Sequence, residues 1–171
     1  MATLIFTVIG DDRPGLVSTL SAPVSRHRAN WERSRFSRLS GKFAGIVLVT
    51  VPDEQLDALI EDLEALEAQD LQIALERTDE LRDQEWLQLR LELLGADHPG
   101  IVAEITASLA TRHVSIEDLS TDVREAPMGG GRLFEAQALL KAPPSTSTEA
   151  LRSMLEDLAD DLMVDLRLTQ D

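Results

Sequence analysis

The spacing of apolar positions changes repeatedly along this chain, and the changes predict its elements. Leu4 to Ile9 is rich in β-branched and aromatic residues (Ile5, Phe6, Val8, Ile9), which predicts a strand that Gly10 ends. Leu16, Val17, Leu20 and Val24 then recur at helical spacing. Pro14 suits the first turn of that helix, where its missing N–H costs nothing, and Asp12 stands ready to cap it or to favour its positive end. Asn30 to Leu39 and Lys42 to Val51 predict a strand pair that turns at Ser40 and Gly41. Pro52 and Asp53 open a second helix with a stripe of Leu56, Leu59, Ile60, Leu63 and Leu66, and Leu71 to Leu75 closes the series with a strand.

The same order then recurs. Trp86 to Leu94 predicts a strand, Pro99 to Ala110 a helix, Val114 to Val123 and Leu133 to Leu140 a hairpin. Ser145 to Leu158 predicts a helix capped by Ser145 or Thr146, and Leu162 to Leu168 a last strand. The repeat is visible in identities too. Gly10, Asp12, Pro14, Gly15, Val17 and Glu32 return at an offset of 85 residues as Gly95, Asp97, Pro99, Gly100, Val102 and Glu117. Phe43 and Pro52 return at an offset of 91 as Phe134 and Pro143, so the second copy carries six extra residues around Glu125 to Gly131.

Two units are therefore expected, residues 1–80 and 85–171, joined by a short polar connection near Thr78 to Gln84 that lacks Pro and Gly. Each is a βαββαβ unit of the α+β class. With right-handed crossovers this order builds a ferredoxin-like fold, a four-stranded antiparallel sheet with two helices on one face. The other face is left bare, and units this small gain by hiding it, edge to edge or face to face with another unit.

Charge narrows the function classes. The chain has 171 residues and a formal net charge of −15, a field that repels phosphate backbones and disfavours direct DNA or RNA binding. Six cations nevertheless crowd into Arg26 to Lys42, including Arg33 and Arg35 on the predicted second strand. They make either a solvated face or a patch for a carboxylate ligand or an acidic partner. There is no cysteine, hence no disulfide, thiolate metal site or cysteine nucleophile, and no apolar run approaches the about 18 residues of a membrane span. A cytoplasmic location without cofactor, metal or membrane partner is expected.

The paired βαββαβ units, each with Gly-x-Asp-x-Pro-Gly between first strand and first helix, resemble ACT domains. A pair of such units without a catalytic domain is similar to the glycine cleavage system transcriptional repressor family. That resemblance implies a regulator that binds a small amino acid, glycine being one candidate, and acts on a transcriptional activator by protein contact rather than on DNA. It also implies a ligand site where the first loop and helix of one module meet the second strand of another. By position this implicates Asp11, Asp12, Arg13, Pro14, Gly15 and Leu16 with Asn30, and in the second copy Ala96, Asp97, His98, Pro99, Gly100 and Ile101 with Ser115. Ser115 in the place of Asn30 makes the first copy the preferred site.

The residue chemistry suits such a ligand. A helix N-terminus offers free N–H groups to a carboxylate, Gly15 and Gly100 admit close approach, and Asp11, Asp12 or Asp97 can accept an ammonium group. Asn30 can meet either end of a zwitterion. Equally, the aspartates can serve the helix ends and the glycines the turn, which would leave a purely assembling module, with Arg33 and Arg35 as contacts for a protein partner and a homodimer possible. An enzyme is the remaining alternative. It lacks support, because His27, His98 and His113 show no metal spacing, Ser25 and His27 share no helical face, and the glycines at 129–131 lack the lysine of a phosphate loop. His27 and His113, near the exits of the first helices, are expected on the surface, and Trp31 and Trp86 in the core or an interface.

Overall fold

The computed structural model describes residues 1–78 and 85–170. It divides into two compact units, Met1–Arg82 and Asp83–Asp171. The expected joint, beyond Thr78, lies outside the described residues.

In the first unit, β1 (Ala2–Asp11), α1 (Leu16–Arg26), β2 (Asn30–Leu39), β3 (Lys42–Val51), α2 (Leu56–Glu64) and β4 (Gln72–Thr78) follow one another. The second repeats them as β5 (Leu87–Ala96), α3 (Ile101–Thr111), β6 (Ser115–Glu125), β7 (Arg132–Ala142), α4 (Thr148–Leu162) and β8 (Val164–Gln170). The sheets run β2-β3-β1-β4 and β6-β7-β5-β8, all pairs antiparallel. This is the tandem ferredoxin-like α+β fold that the apolar spacing predicts.

Alternation along the strands sets the cores. Leu4, Phe6 and Val8 of β1 and Val47, Val49 and Val51 of β3 point to the helices and are buried. They meet Leu16, Leu20 and Val24 of α1 and Leu56, Leu59 and Leu63 of α2. Leu89, Leu91, Leu140, Ile105, Leu109, Leu151 and Leu155 do the same in the second unit. Each buried leucine or valine contributes roughly 1.5–3 kcal/mol, so neither helix pair could be lost without losing the unit.

The copies differ in one core detail. Phe36 lies across the strand from Gly45, and a Cβ there would stand 2.1 Å from its ring. The ring therefore occupies the room that glycine leaves, and it stacks on Phe43 at 5.0 Å and on Trp31 at 6.2 Å. In the second unit the paired positions hold Thr121 and Ala136, and a small apolar crevice of about 20 Å³ remains there, walled by Leu93, Val102, Leu119 and Phe134.

Several expected boundaries shift. α1 begins at Leu16, so Pro14 stands in the turn before the helix, and neither Asp12 nor any other side chain caps it. The cap of α4 is Ser147, whose Oγ accepts from the Ala150 N–H at 3.2 Å, rather than Ser145 or Thr146. Leu162 is the last residue of α4 and not the first of the final strand. Trp86 stands outside β5 and is 41% exposed, while Trp31 packs against the first core. His27 is not a surface residue; its side chain keeps 12% of its exposure, for a reason given below.

Candidate functional site

Each first strand ends in an elbow that leads into the first helix, and the two elbows are built alike. The N–H of Asp12 donates to the Gly41 carbonyl at 2.9 Å, and that of Asp97 to the Arg132 carbonyl at 2.9 Å, which ties each elbow to the neighbouring hairpin. Gly10 and Gly95 let the last strand start against the elbow: a Cβ would stand 2.6 Å from Leu71 and 2.7 Å from Val164. Gly15 and Gly100 occupy the N-cap positions with φ of 88° and 99°, a left-handed conformation that favours glycine.

The elbow side chains are largely engaged within the chain. Asp12 pairs with Arg38 at 2.7 Å and Asp97 with Arg132 at 3.6 Å. Asp11 pairs with Lys42, whose hydrogen bond and charge hold the carboxyl below its usual range. Arg13 and His98 stand at equivalent places and do the same thing. Arg13 Nη2 donates to the Gln69 carbonyl at 2.9 Å, and His98 Nε2 faces the Leu162 carbonyl at 2.8 Å. Gln69 ends the short 3-10 helix Ala65–Gln69 that follows α2, and Leu162 ends α4, places where a cation is favoured. The other ring nitrogen of His98 faces the Pro99 carbonyl at 3.1 Å. Two acceptors around one ring favour the doubly protonated imidazolium, and the Leu162 carbonyl foremost raises the pKa.

What the elbows leave open is backbone. No side chain caps α1 or α3, so the first N–H groups after Gly15 and Gly100 lack a helical partner. Leu16 and Ile101 are buried and anchor these helix starts, while Pro14, Gly15, Pro99 and Gly100 are exposed. The two starts are not equal. The first turn of α1 has no acidic residue, and nothing lies within 4 Å of a Cβ built on Gly15. The first turn of α3 carries Glu104, whose Oε1 is 3.4 Å from the equivalent point on Gly100.

The structure does not bring Asn30 to the elbow of its own unit. Asn30 pairs with Thr50 and Thr50 with Thr3, whereas the elbow begins at Asp11, eight strand residues or roughly 27 Å away. Ser115 is equally remote from Ala96 and Asp97, since it pairs with Lys141 at the other end of the second sheet. Neither unit therefore brings its own elbow and second strand into one site. Asn30 itself donates to Glu32 at 2.8 Å, and Thr50 donates to the same oxygen at 2.7 Å; both lower the Glu32 pKa, Thr50 the more. Glu32 and Glu117, paired in the repeat, both sit where the strand register slips by a bulge.

One cluster had no signal in the sequence. His27, at the exit of α1, sets Nε2 2.7 Å from Asp62 and Nδ1 3.0 Å from Gln55, and Arg26 reaches the same Asp62 oxygen at 2.7 Å. The partners lie on or beside α2, 28 to 36 residues away, so only the fold reveals them. Arg33 and Arg35 stand exposed on β2, with no carboxylate partner among the described residues. Among the described residues no group of side chains could hold a metal ion, and no helix is long and apolar enough to cross a membrane.

Comparison with known proteins agrees with the fold. The sequence model of the ACT domain family matches residues 2–76. The glycine cleavage system transcriptional repressor of Escherichia coli K12 is 26% identical over 165 residues, covering 93% of this chain and 85% of the repressor, and that of Shigella flexneri matches equally. A crystal structure of a protein of unknown function from Galdieria sulphuraria superposes with a TM-score of 0.89 at 28% identity, over 99% of this chain and 98% of that one. Another, provisionally assigned as a glycine cleavage system transcriptional repressor, superposes with a TM-score of 0.76 at 20% identity over 99% and 97%, which speaks for the shared fold. The ACT domain model thus covers the first unit, and over nearly its whole length the chain is similar to the glycine cleavage system transcriptional repressor.

Proposed function

We propose that this chain is a non-catalytic, cytoplasmic regulator of the repressor type, which senses a small amino acid and acts on a transcription regulator by protein contact. The observation that carries the sensing part is the uncapped start of α1: without an acidic residue in its first turn, and built on an exposed glycine with open space around it. Its N–H groups suit a ligand carboxylate. Glu104 disfavours the same anion at α3, so the first elbow, Asp11 to Leu16, is the working site and Asp97 to Ile101 the weaker one. Asn30, or Ser115 in the second copy, joins such a site only from another module. Arg33 and Arg35 are the contact for an acidic protein partner.

A thermal-shift panel of the twenty amino acids tests the sensor. A ligand at a hundred times its dissociation constant adds about 2.7 kcal/mol of stability, so glycine or another small amino acid should raise the melting temperature by several degrees. A flat response to all twenty overturns sensing.

A second reading, an assembling module without ligand, is favoured by the in-chain pairing of Asp11, Asp12 and Asp97, which leaves none of these three carboxylates free for a ligand ammonium. On that reading the panel is flat, and a partner captured by the native chain is lost when Arg33 and Arg35 are both changed to Glu.

A further inference from the structure

The outer face of the first sheet, away from the helices, carries an ordered charge pattern. Strand register sets Arg33, Leu48, Ile5 and Glu76 side by side in one row across β2, β3, β1 and β4. The next rows place Ile46 and Ile9 on the same two central strands, 45% and 42% exposed. Thus an aliphatic centre is bounded by arginines on one edge strand and by Glu76 on the other. Neither Arg33 nor Glu76 has a charged partner among the described residues.

The second sheet does not share this design. Its central strands turn Gln88, Arg90, Glu92, Glu135, Gln137 and Lys141 outward, with Leu94 and Leu139 among them. That face mixes aliphatic with charged side chains, whereas the centre of the first carries only aliphatic and threonine side chains, which gain by being covered.

We infer that the outer face of the first sheet is a two-fold interface with a second copy of this chain. The charges select both the occupant and the axis. A two-fold axis along the strands, between β3 and β1, lays β2 of one copy over β4 of the other and so sets Arg33 over Glu76 twice. An axis across the strands would instead lay arginine over arginine. Stacked sheets lie about 10 Å apart, within the joint reach of an arginine and a glutamate. The face measures about 19 by 24 Å, at the low end of specific interfaces, so the dimer is weak and forms in the micromolar range. This goes beyond the regulator contact proposed above: the occupant of the face is a second copy of the chain, and a regulator that engages Arg33 competes with it.

Sedimentation equilibrium of the full chain at physiological salt, from about 5 to 200 µM, tests it; salt screens the net repulsion of two acidic chains. The native chain should approach twice its monomer mass. Glu76→Arg should weaken association about tenfold or more, and Arg33→Glu with Glu76→Arg should recover most of it, because the swap restores opposite charges across the axis. Ile46→Asp, which places a charge in the centre, should abolish it. All three positions lie on an exposed face, so circular dichroism and melting should show each variant folded. A native chain that stays monomeric, a Glu76→Arg variant that associates like it, or a charge swap without rescue each overturns the inference. Capture of a regulatory partner is scored separately: a native dimer that captures none leaves this interface standing and removes only the proposed contact with that regulator.

Discussion

His27 stands where the last turn of a helix would ordinarily meet water, yet both of its ring nitrogens face acceptors on the neighbouring helical segment. The hydrogen bond to Asp62 foremost, then that to Gln55, raises its pKa above the ordinary 6.5. Its contribution to stability is therefore complete below about 6.5 and lost as pH rises through the higher folded value. Asp62 is held below its ordinary 3.8, chiefly by His27 and then by Arg26, and its share is lost as pH falls through that lower value. These are two views of one contact, which works best between the two limits. Urea titrations across pH 5 to 9 should show stability falling on the alkaline side, and His27→Gln should flatten that fall; an unchanged profile refutes the clip. Gly45 supplies a second test. Gly45→Ala drives a methyl group into the Phe36 ring and close to the Arg35 carbonyl, at 2.8 Å. It should cost about 1–3 kcal/mol in denaturant unfolding. Adding Phe36→Thr, the pairing that the second unit uses, should recover only part, because the carbonyl contact remains.

At the scale of elements, helix ends decide most of what differs between the sequence reading and the structure. The pattern of apolar residues places all four helices, but it does not say which neighbour serves each end. α4 is closed by Ser147, and Ser147→Ala should cost about 1 kcal/mol in thermal unfolding, whereas Ser145→Ala should be silent. α1 and α3 begin without side-chain caps on glycines at positive φ, so Gly15→Val should cost about 1–2 kcal/mol through backbone strain. Amino-acid response, if it arises at this helix start, should be lost in the same variant. The hairpin from Asn30 to Val51 was legible residue by residue, because Ser40 and Gly41 both take positive φ in a two-residue turn. The Asp-x-Pro-Gly elbow was legible as a motif, but not the roles inside it. Asp12 and Asp97 turn to arginines on the hairpin, and Arg13 and His98 to helix-ending carbonyls, partners far away in sequence.

For the whole molecule, a net charge of −15 acts on every encounter with a polyanion. Fluorescence anisotropy with duplex DNA at roughly 150 mM salt should show no binding, since counterion release cannot favour an acidic surface. Tight binding would overturn regulation by protein contact. The two copies also differ in what they expose. The first carries the open helix start, the arginine edge and an outer face without charge at its centre; the second carries Glu104 at its elbow and charged residues on the central strands of its outer face.

The sequence by itself determined the repeat, the class of fold and the position of both elbows, because periodicity and the glycine and proline positions are local properties of the chain. It also revealed that Arg33 and Arg35 crowd one strand. Only the tertiary structure decided which charges are satisfied. Ion pairs such as Asp12 with Arg38 and the His27 contact close over tens of residues, and the row from Arg33 to Glu76 exists only once four strands take one register. Strand order and register are set by packing of the whole unit against its helices, which no local window of sequence contains.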